Sequence, residues 1–491
     1  MNDGGQSHNP VVPAKPTNKA ASAAAEPVEE RGLAEGNTDS PARSGHSAGI
    51  RVPRGLDRVR QVAIRDKKVR FTALFHHMTV DLLGEGFKAL RRKAAPGVDG
   101  MTWEAYERNL ESNLQDLHGR LHRGAYRAKP SRRVYIPKAD GRQRPLGVAS
   151  LEDKIVQWAL VEVLNAIYEP DFLGFSYGFR PGRSQHDALD ALAVAIERRK
   201  VNWILDADVA DFFTRLDQSW LEKFLEHRIA DKRVLRLIQQ WLKAGVVEDG
   251  TWTACDEGAP QGAVVSPLLA NVYLHYVLDQ WADQWRRRKA KGDVVIVRYA
   301  DDQIVGFQHR EEAERFLEEL SERFAKFGLG LKAEKTRLIE FGRFAAQNRK
   351  ARGLGRPETF NFLGFTHACG KTRDGRFALK RITNKERMRA KLKEVKTELT
   401  RRMHLPIPAV GRWLNSVVRG HLAYFAVPGN SNAIRAFVDQ VTRHWQQVLR
   451  HRSQRAKATW ERMNRLAKRW LPEPHVIHPY PEKRFAVRHP R

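Results

Sequence analysis

Between about residues 131 and 370, short apolar runs rich in β-branched and aromatic residues alternate with segments of helical spacing and with turn signals, the pattern of a mixed α+β domain. Three stretches mark it out. RRVYIPKADGRQRPLGV, residues 132–148, predicts a β-hairpin turning at Asp140-Gly141, a dipeptide suited to the positive φ angles of a tight turn. WILDADVADFF, residues 203–213, predicts a strand running into a turn. VVIVRYADDQIVGF, residues 294–307, predicts two buried strands folded about an acidic tip. After about residue 380 the texture becomes helical. Met388, Leu392, Val395, Leu399 and Met403 recur at spacings of three and four, so they share one face of a helix whose other face is mostly basic. Leu405-Pro406-Ile407-Pro408 breaks that helix, and VGRWLNSVVRGHLAYF predicts a second. The first 54 residues hold few large apolar side chains to offset the entropy of ordering, which predicts a disordered arm.

Charge narrows the partners. The 491 residues include 86 Lys and Arg against 57 Asp and Glu, a formal net charge of +29. Solubility asks for a net charge of only about 2–8 in a small domain, so the excess points to a large polyanion, with nucleic acid ahead of a membrane surface. Cys255 and Cys369 are the only cysteines, which excludes a disulfide framework and a paired-cysteine zinc site and implies a reducing compartment. His76, His77 and His186 lack a metal-ligand spacing. No apolar run reaches the roughly 18 residues of a membrane span, so the expectation is an intracellular, cytoplasmic protein with no membrane partner.

The candidate chemistry lies in the acids. Tyr299-Ala300-Asp301-Asp302 sets adjacent carboxylates at a hairpin tip, and Asp208 ends another apolar strand. Surface turns favour Asp for backbone bonding, but three carboxylates held together repel one another without cations. Metal binding explains the set, and nucleotidyl transfer by two divalent ions needs such a cluster.

The blocks RRVYIPKADGRQRPLG, EPDFLGFSYGFRPGRSQHDAL, DADVADFF, GAPQGAVVSPLLANVYL, RYADDQIVGF, LGLKAEKTRLIEFG and FNFLGF, in this order, resemble the reverse transcriptases encoded by bacterial group II introns, the intron maturases. The resemblance runs from about residue 55 to 450. It implies a right-hand polymerase fold followed by an α-helical thumb, the maturase domain X. The corresponding divisions are a disordered basic arm (1–54), an N-terminal extension (55–130), fingers and palm (131–370), the thumb (371–450) and a basic tail (451–491). It implies RNA-directed DNA polymerase activity with two Mg2+ ions. Asp208 and Asp301 would be the principal ligands, the Val209 carbonyl would add an oxygen, and Asp302 would be the auxiliary acid. Phe213 would be the aromatic gate that excludes a 2′-hydroxyl. Gln261 and Gly262 would face the incoming nucleotide, Lys138 and Arg144 would clamp its triphosphate, and Lys335 would stand by the leaving pyrophosphate.

Arg180 and Arg183 in SYGFRPGRS, and Arg412, Arg419 and His421 in the thumb, are candidate RNA contacts through phosphate neutralisation. The implied partners are the group II intron RNA, a DNA target and primer, and deoxynucleoside triphosphates, in a ribonucleoprotein near the nucleoid. The tail, with 11 Lys and Arg against three acids, is a candidate nucleic-acid appendage and is too short and cysteine-poor for an HNH endonuclease. Thr214 stands where an acid is common, and Ala210-Asp211 where many relatives have a basic or small pair, which touches geometry rather than reaction type. Asp206 shares a strand face with Asp208 as a supporting acid or a capped one. Two rivals stay open: a retron or defence-system reverse transcriptase, and an RNA-binding splicing factor with an inactive palm.

Overall fold

The structure is a computed structural model, and it describes residues 55–137, 143–254, 257–372, 374–452 and 458–488. The expected N-terminal arm therefore lies outside the described residues, as does the tip of the Asp140-Gly141 hairpin. Helices α1 (Asp57–Arg65) and α2 (Val80–Ala89) pack on the long helix α4 (Leu151–Tyr168), and α3 (Leu110–His122) packs on α2. The Ser150 hydroxyl caps α4 by accepting from the Asp153 N–H.

Between α3 and α4, strands β1 (Ser131–Pro137) and β2 (Gln143–Val148) pair antiparallel, with Ile136 opposite Arg144, as the hairpin pattern anticipates. They join β4 (Val246–Glu248) and β5 (Thr251–Thr253) in a sheet of order β2-β1-β4-β5.

A second sheet holds the acidic motifs. It is built from β3 (Trp203–Ala207), β6 (Val294–Tyr299), β7 (Asp302–Phe307) and β8 (Arg337–Glu340) in the antiparallel order β6-β7-β3-β8. Its strands read as near-continuous apolar runs because the sheet separates two cores. Leu205, Ala207, Ile296, Val305 and Phe307 face one core, shared with Phe316, Leu320 and Phe324 of α8 (Arg310–Ala325). Their neighbours Ile204, Val297 and Ile304 face the other, shared with Leu189, Leu192 and Ile196 of α5 (Gln185–Arg198). The strand period of two thus delivers apolar side chains to both faces.

Strands β9 (Phe360–Phe362), β10 (Phe365–Lys371) and β11 (Phe377–Thr383) form a third sheet that carries strand structure past residue 370. Helices α9 (Lys385–Arg401), α10 (Ile407–Phe425) and α11 (Ser431–His451) follow. The predicted apolar face of α9 points inward, with Val395 and Leu399 buried and Met388, Leu392 and Met403 packed against them.

The basic tail is ordered against the rest of the fold. Residues 458–488 pack against the body, with α12 (Trp460–Trp470) lying on α10 and α11 and with Met463 buried. The Asn415 side chain donates to the Trp470 carbonyl at 2.6 Å. Helix α13 (Pro481–Arg488) lies on α5, where Arg484 pairs with Asp190 and Arg198 pairs with Glu482 at 3.1 Å. An amphipathic helix buries its apolar stripe wherever a complementary face exists, and net positive charge did not reveal that face.

One buried histidine sets a pH response. His367 on β10 stacks on Phe360 with ring centroids 4.7 Å apart, and neither ring nitrogen has a hydrogen-bond partner. Burial, with the Arg381 charge beside it, pushes His367 down to about 3. Above about pH 6.5 folded and unfolded chains both hold neutral imidazole. As pH falls below that, the unfolded chain takes the proton first, so stability is lost toward the folded value, by about 1.4 kcal/mol per pH unit for one site. Urea midpoints measured from pH 6.5 down to 4.5 should decline, and the decline should be shallower for His367→Leu.

Candidate active site

The backbone beyond β3 positions Asp208 and Val209. The Asp208 carbonyl accepts from the Lys332 N–H at 2.9 Å and the Ala210 N–H donates to the Gly330 carbonyl at 2.8 Å, flanking a Val209–Leu331 antiparallel bridge. In such a narrow pair the central residue's own N–H and C=O point to the opposite edge. For Val209 that is the β7 edge, where the acidic turn lies. Asp211 then adopts φ 43° and starts the short helix α6 (Phe212–Arg215).

The β6–β7 hairpin closes at the Tyr299–Asp302 pair, leaving Ala300 and Asp301 as a two-residue turn. Ala300 has φ 56°, the positive angle that hairpin turns require at this position. Its carbonyl accepts from Arg298 Nη1 at 2.8 Å. Arg298 is fully buried and uses all five donors, giving two to Asp279 at 2.6 and 2.7 Å and one each to Asn271, Ser176 and Ala300.

Electrostatics link the acids. Burial raises the pKa of Asp301, the Asp208 carboxylate beside it adds to the rise, and the charges of Arg144 and Lys332 oppose it. Asp302 is solvent-exposed at the start of β7, while its carboxyl lies among protein groups that desolvate it. Burial and the charges of Asp301 and Asp208 raise its pKa well above the carboxylate range, against Arg387 of α9. The three acids thus act on one another, with Arg144 and Lys332 opposing the shift at Asp301 and Arg387 opposing it at Asp302. Asp206 pairs with Arg337 at 3.4 Å, and burial followed by Asp208 raises its pKa.

The donor set suits a divalent ion. Asp208 holds the ammonium groups of Lys335 at 3.4 Å and Lys332 at 3.5 Å, so its oxygens already sit among cations. Among the described residues no three acidic, histidine or cysteine side chains converge into a complete cage. Magnesium sites characteristically combine one or two carboxylates with water and substrate phosphates, so that pattern fits.

The loop Gly258–Gly262 gathers the expected nucleotide-facing residues. The Phe213 carbonyl accepts from the Ala259 N–H at 2.8 Å, and the Gln261 carbonyl accepts from the Gly147 N–H of β2 at 2.7 Å. Gly262 has φ 103°, and a β-carbon there would stand 2.8 Å from the Gly147 oxygen, so glycine alone suits the junction. Phe213 is half-buried and meets the buried Phe212 edge-on at 5.3 Å. Lys138 lies outside the described residues.

Two expected RNA contacts are corrected. Arg180 is only 5% exposed, pairs with Glu169 at 2.6 Å and donates to the Leu173 and Ser176 carbonyls, so its guanidinium is spent inside the fold. His421 is 6% exposed and stacks on Phe437 with ring centroids 3.5 Å apart. Arg183 is half-buried, donates to the Gly174 carbonyl at 2.7 Å and lies over the Tyr177 ring. Arg412 and Arg419 are exposed and, seven positions apart, share one face of α10. Reading the motifs missed Lys332, Arg298 and Arg387. Arg298 carries a signal in hindsight, a charge inside the apolar strand VVIVRY, and Lys332 alternates with the buried Leu329 and part-buried Leu331.

The four-stranded antiparallel sheet, with acids at the end of one strand and at a neighbouring hairpin tip, lies within residues 136–367, which match the family described as Reverse transcriptase (RNA-dependent DNA polymerase). Among the relatives it resembles are proteins named as encoded by introns. It is 37% identical over 201 residues to Protein YkfC of Escherichia coli (strain K12), covering 40% of this chain and 53% of that protein. It is 33% identical over 207 residues to Group II intron-encoded protein LtrA of Lactococcus lactis subsp. cremoris, covering 42% and 34%. A Putative COX1/OXI3 intron 1 protein of Saccharomyces cerevisiae is 25% identical over 425 residues, covering 72% and 50%. The matched regions span about half or less of these relatives' lengths. The expected mixed fold with a helical C-terminal region holds, and among the described residues no helix is long and apolar enough to cross a membrane.

Proposed function

We propose that this chain catalyses RNA-templated DNA synthesis from a DNA 3′ end and binds a group II intron RNA, assisting its splicing and mobility. The observation that carries the reading is the pairing of β3 with β7, Ala207 opposite Gln303, which sets Asp208, and Val209 with its carbonyl after it, beside the acidic turn, with the charges of Asp208 and Arg144 both acting on Asp301. Asp208, Asp301 and that carbonyl would hold two magnesium ions, with Asp302 as the auxiliary acid. When bound, magnesium supplies Lewis acidity at the attacking hydroxyl and at the leaving phosphates. Arg144, with Lys138, neutralises the triphosphate as charge builds on it. Lys335, at 3.4 Å from Asp208, is positioned to give a proton to the departing pyrophosphate. Gln261 and Gly262 line the nucleotide's path.

Residues 131–370 would serve as fingers and palm, 55–130 as an extension and 371–450 as the thumb. Arg412 and Arg419 on the exposed face of α10 are suited to intron phosphates. The complex would work in the cytoplasm, at the nucleoid.

Extension of oligo(dT) on poly(rA) with magnesium tests the polymerase half, and absence of product from the wild type would remove it. Phe213→Val should reduce discrimination against ribonucleotides about 10- to 200-fold by opening space at the sugar. Unchanged discrimination would remove the gate. Splicing of the flanking RNA at low magnesium, with and without protein, tests the other half, and equal rates would sink it.

A further inference from the structure

Residues 173–180 form no regular strand, yet they are clamped against β6. Ser176 bridges Arg298 in parallel register, the Tyr177 N–H donates to the Arg298 carbonyl at 2.9 Å, and the Arg298 N–H donates to the Phe175 carbonyl at 2.9 Å. The buried guanidinium of Arg180 ties the Leu173 and Ser176 carbonyls together, and that of Arg298 holds the Ser176 hydroxyl. Asn271 donates to the Gly178 carbonyl at 2.7 Å. A β-carbon at Gly178 would collide with the Ala300 backbone nitrogen, so this backbone lies directly on the turn that carries Asp301.

The residue displayed by this mount is Phe179. It has φ 57°, is 43% exposed, and its ring centroid stands 6.4 Å from that of Tyr299. A bulky side chain in the left-handed region is sterically disfavoured, and a ring left in water gains little from burial. Glycine would serve the backbone better at this position. The side chain is therefore the part that needs a purpose.

We infer that Phe179, with Tyr299, forms an aromatic shelf that takes a base or sugar face of the terminal base pair of the primer–template duplex, holding the primer 3′ end beside Asp301. The inference rests on the polymerase reading above. The chemistry selects this occupant. The ring is uncharged and offers no donor to a phosphate, whereas every base presents a flat apolar face to an aromatic ring. The shelf adjoins the catalytic turn, where the primer terminus must lie. The arginine that sequence reading assigned to RNA, Arg180, acts instead as a positioning residue for this mount.

Fluorescence anisotropy of a labelled DNA-primer/RNA-template duplex with the full chain tests the inference. Phe179→Gly should weaken duplex binding and raise KM for primer–template about 5- to 100-fold, while the single-turnover rate at saturating duplex stays within about threefold. Its melting temperature should hold or rise, since the backbone strain is relieved. Phe179→Tyr should restore binding. Duplex binding by Phe179→Gly within about twofold of wild type would overturn the inference and leave the polymerase reading intact. A fall in melting temperature that Phe179→Tyr reverses would also overturn it, because the ring would then be a packing residue. Absence of primer extension by the wild type would remove both readings together.

Discussion

Asp301→Asn is expected to lower the rate of primer extension by at least about 10^2- to 10^3-fold, the scale of losing one group that stabilises transition-state charge. The fold should survive the change. Asp301 is a partly buried carboxylate set against Asp208, so neutralising it removes a repulsion that the metal-free protein carries. Melting in the presence of a chelator should therefore occur at the same temperature as wild type or higher, while activity collapses. A variant that kept wild-type extension rates would remove Asp301 from the chemistry. A variant that simply unfolded would show the acid to be structural.

The largest effect on stability is expected at Arg298. Arg298→Ala leaves Asp279, which has no solvent exposure, as an unpaired buried charge. Breaking a buried pair from one side costs about 3–5 kcal/mol, read as a lower urea midpoint. It also frees the Ala300 carbonyl and the Ser176 hydroxyl, two of the contacts that hold the acidic turn to the Phe179 mount. Displacement of the reacting groups by about 1 Å costs on the order of a hundred-fold in rate. The double variant Arg298→Met with Asp279→Leu separates the two roles. Replacing a buried ion pair with apolar groups of similar volume is often neutral or stabilising, so the urea midpoint should recover. Extension should remain impaired, because methionine cannot donate to the Ala300 carbonyl. Recovery of both would make Arg298 a packing element only.

Some failures of sequence reading share one cause. Arg180 and Arg183 sit three positions apart in SYGFRPGRS with similar neighbours. One is sealed inside because Glu169, just beyond α4, arrives to pair with it; the other stays half-buried over Tyr177. His421 and Arg419 are two positions apart on α10, and the approach of Phe437 from α11 makes the first a core residue while the second faces solvent. The tail's positive charge was legible, but the faces of α5 and α10 that receive its helices were not. Lys332 was hidden for a related reason, since its closeness to Asp208 depends on a bridge between segments far apart in the chain.

Local properties of the chain determined the strand period, the hairpin at residues 132–148, the acidic turn at 299–302 and the two helices after 380. Each of these follows from side-chain alternation, turn stereochemistry and helix spacing within a few residues, which the order of amino acids states directly. Only the tertiary structure decided which charged groups are buried, that Arg144 and Lys332 act on Asp301 while Arg387 acts on Asp302, and that Phe179 is held strained and exposed beside the acidic turn. Burial depends on which distant segment packs against a residue, and no local pattern contains that information.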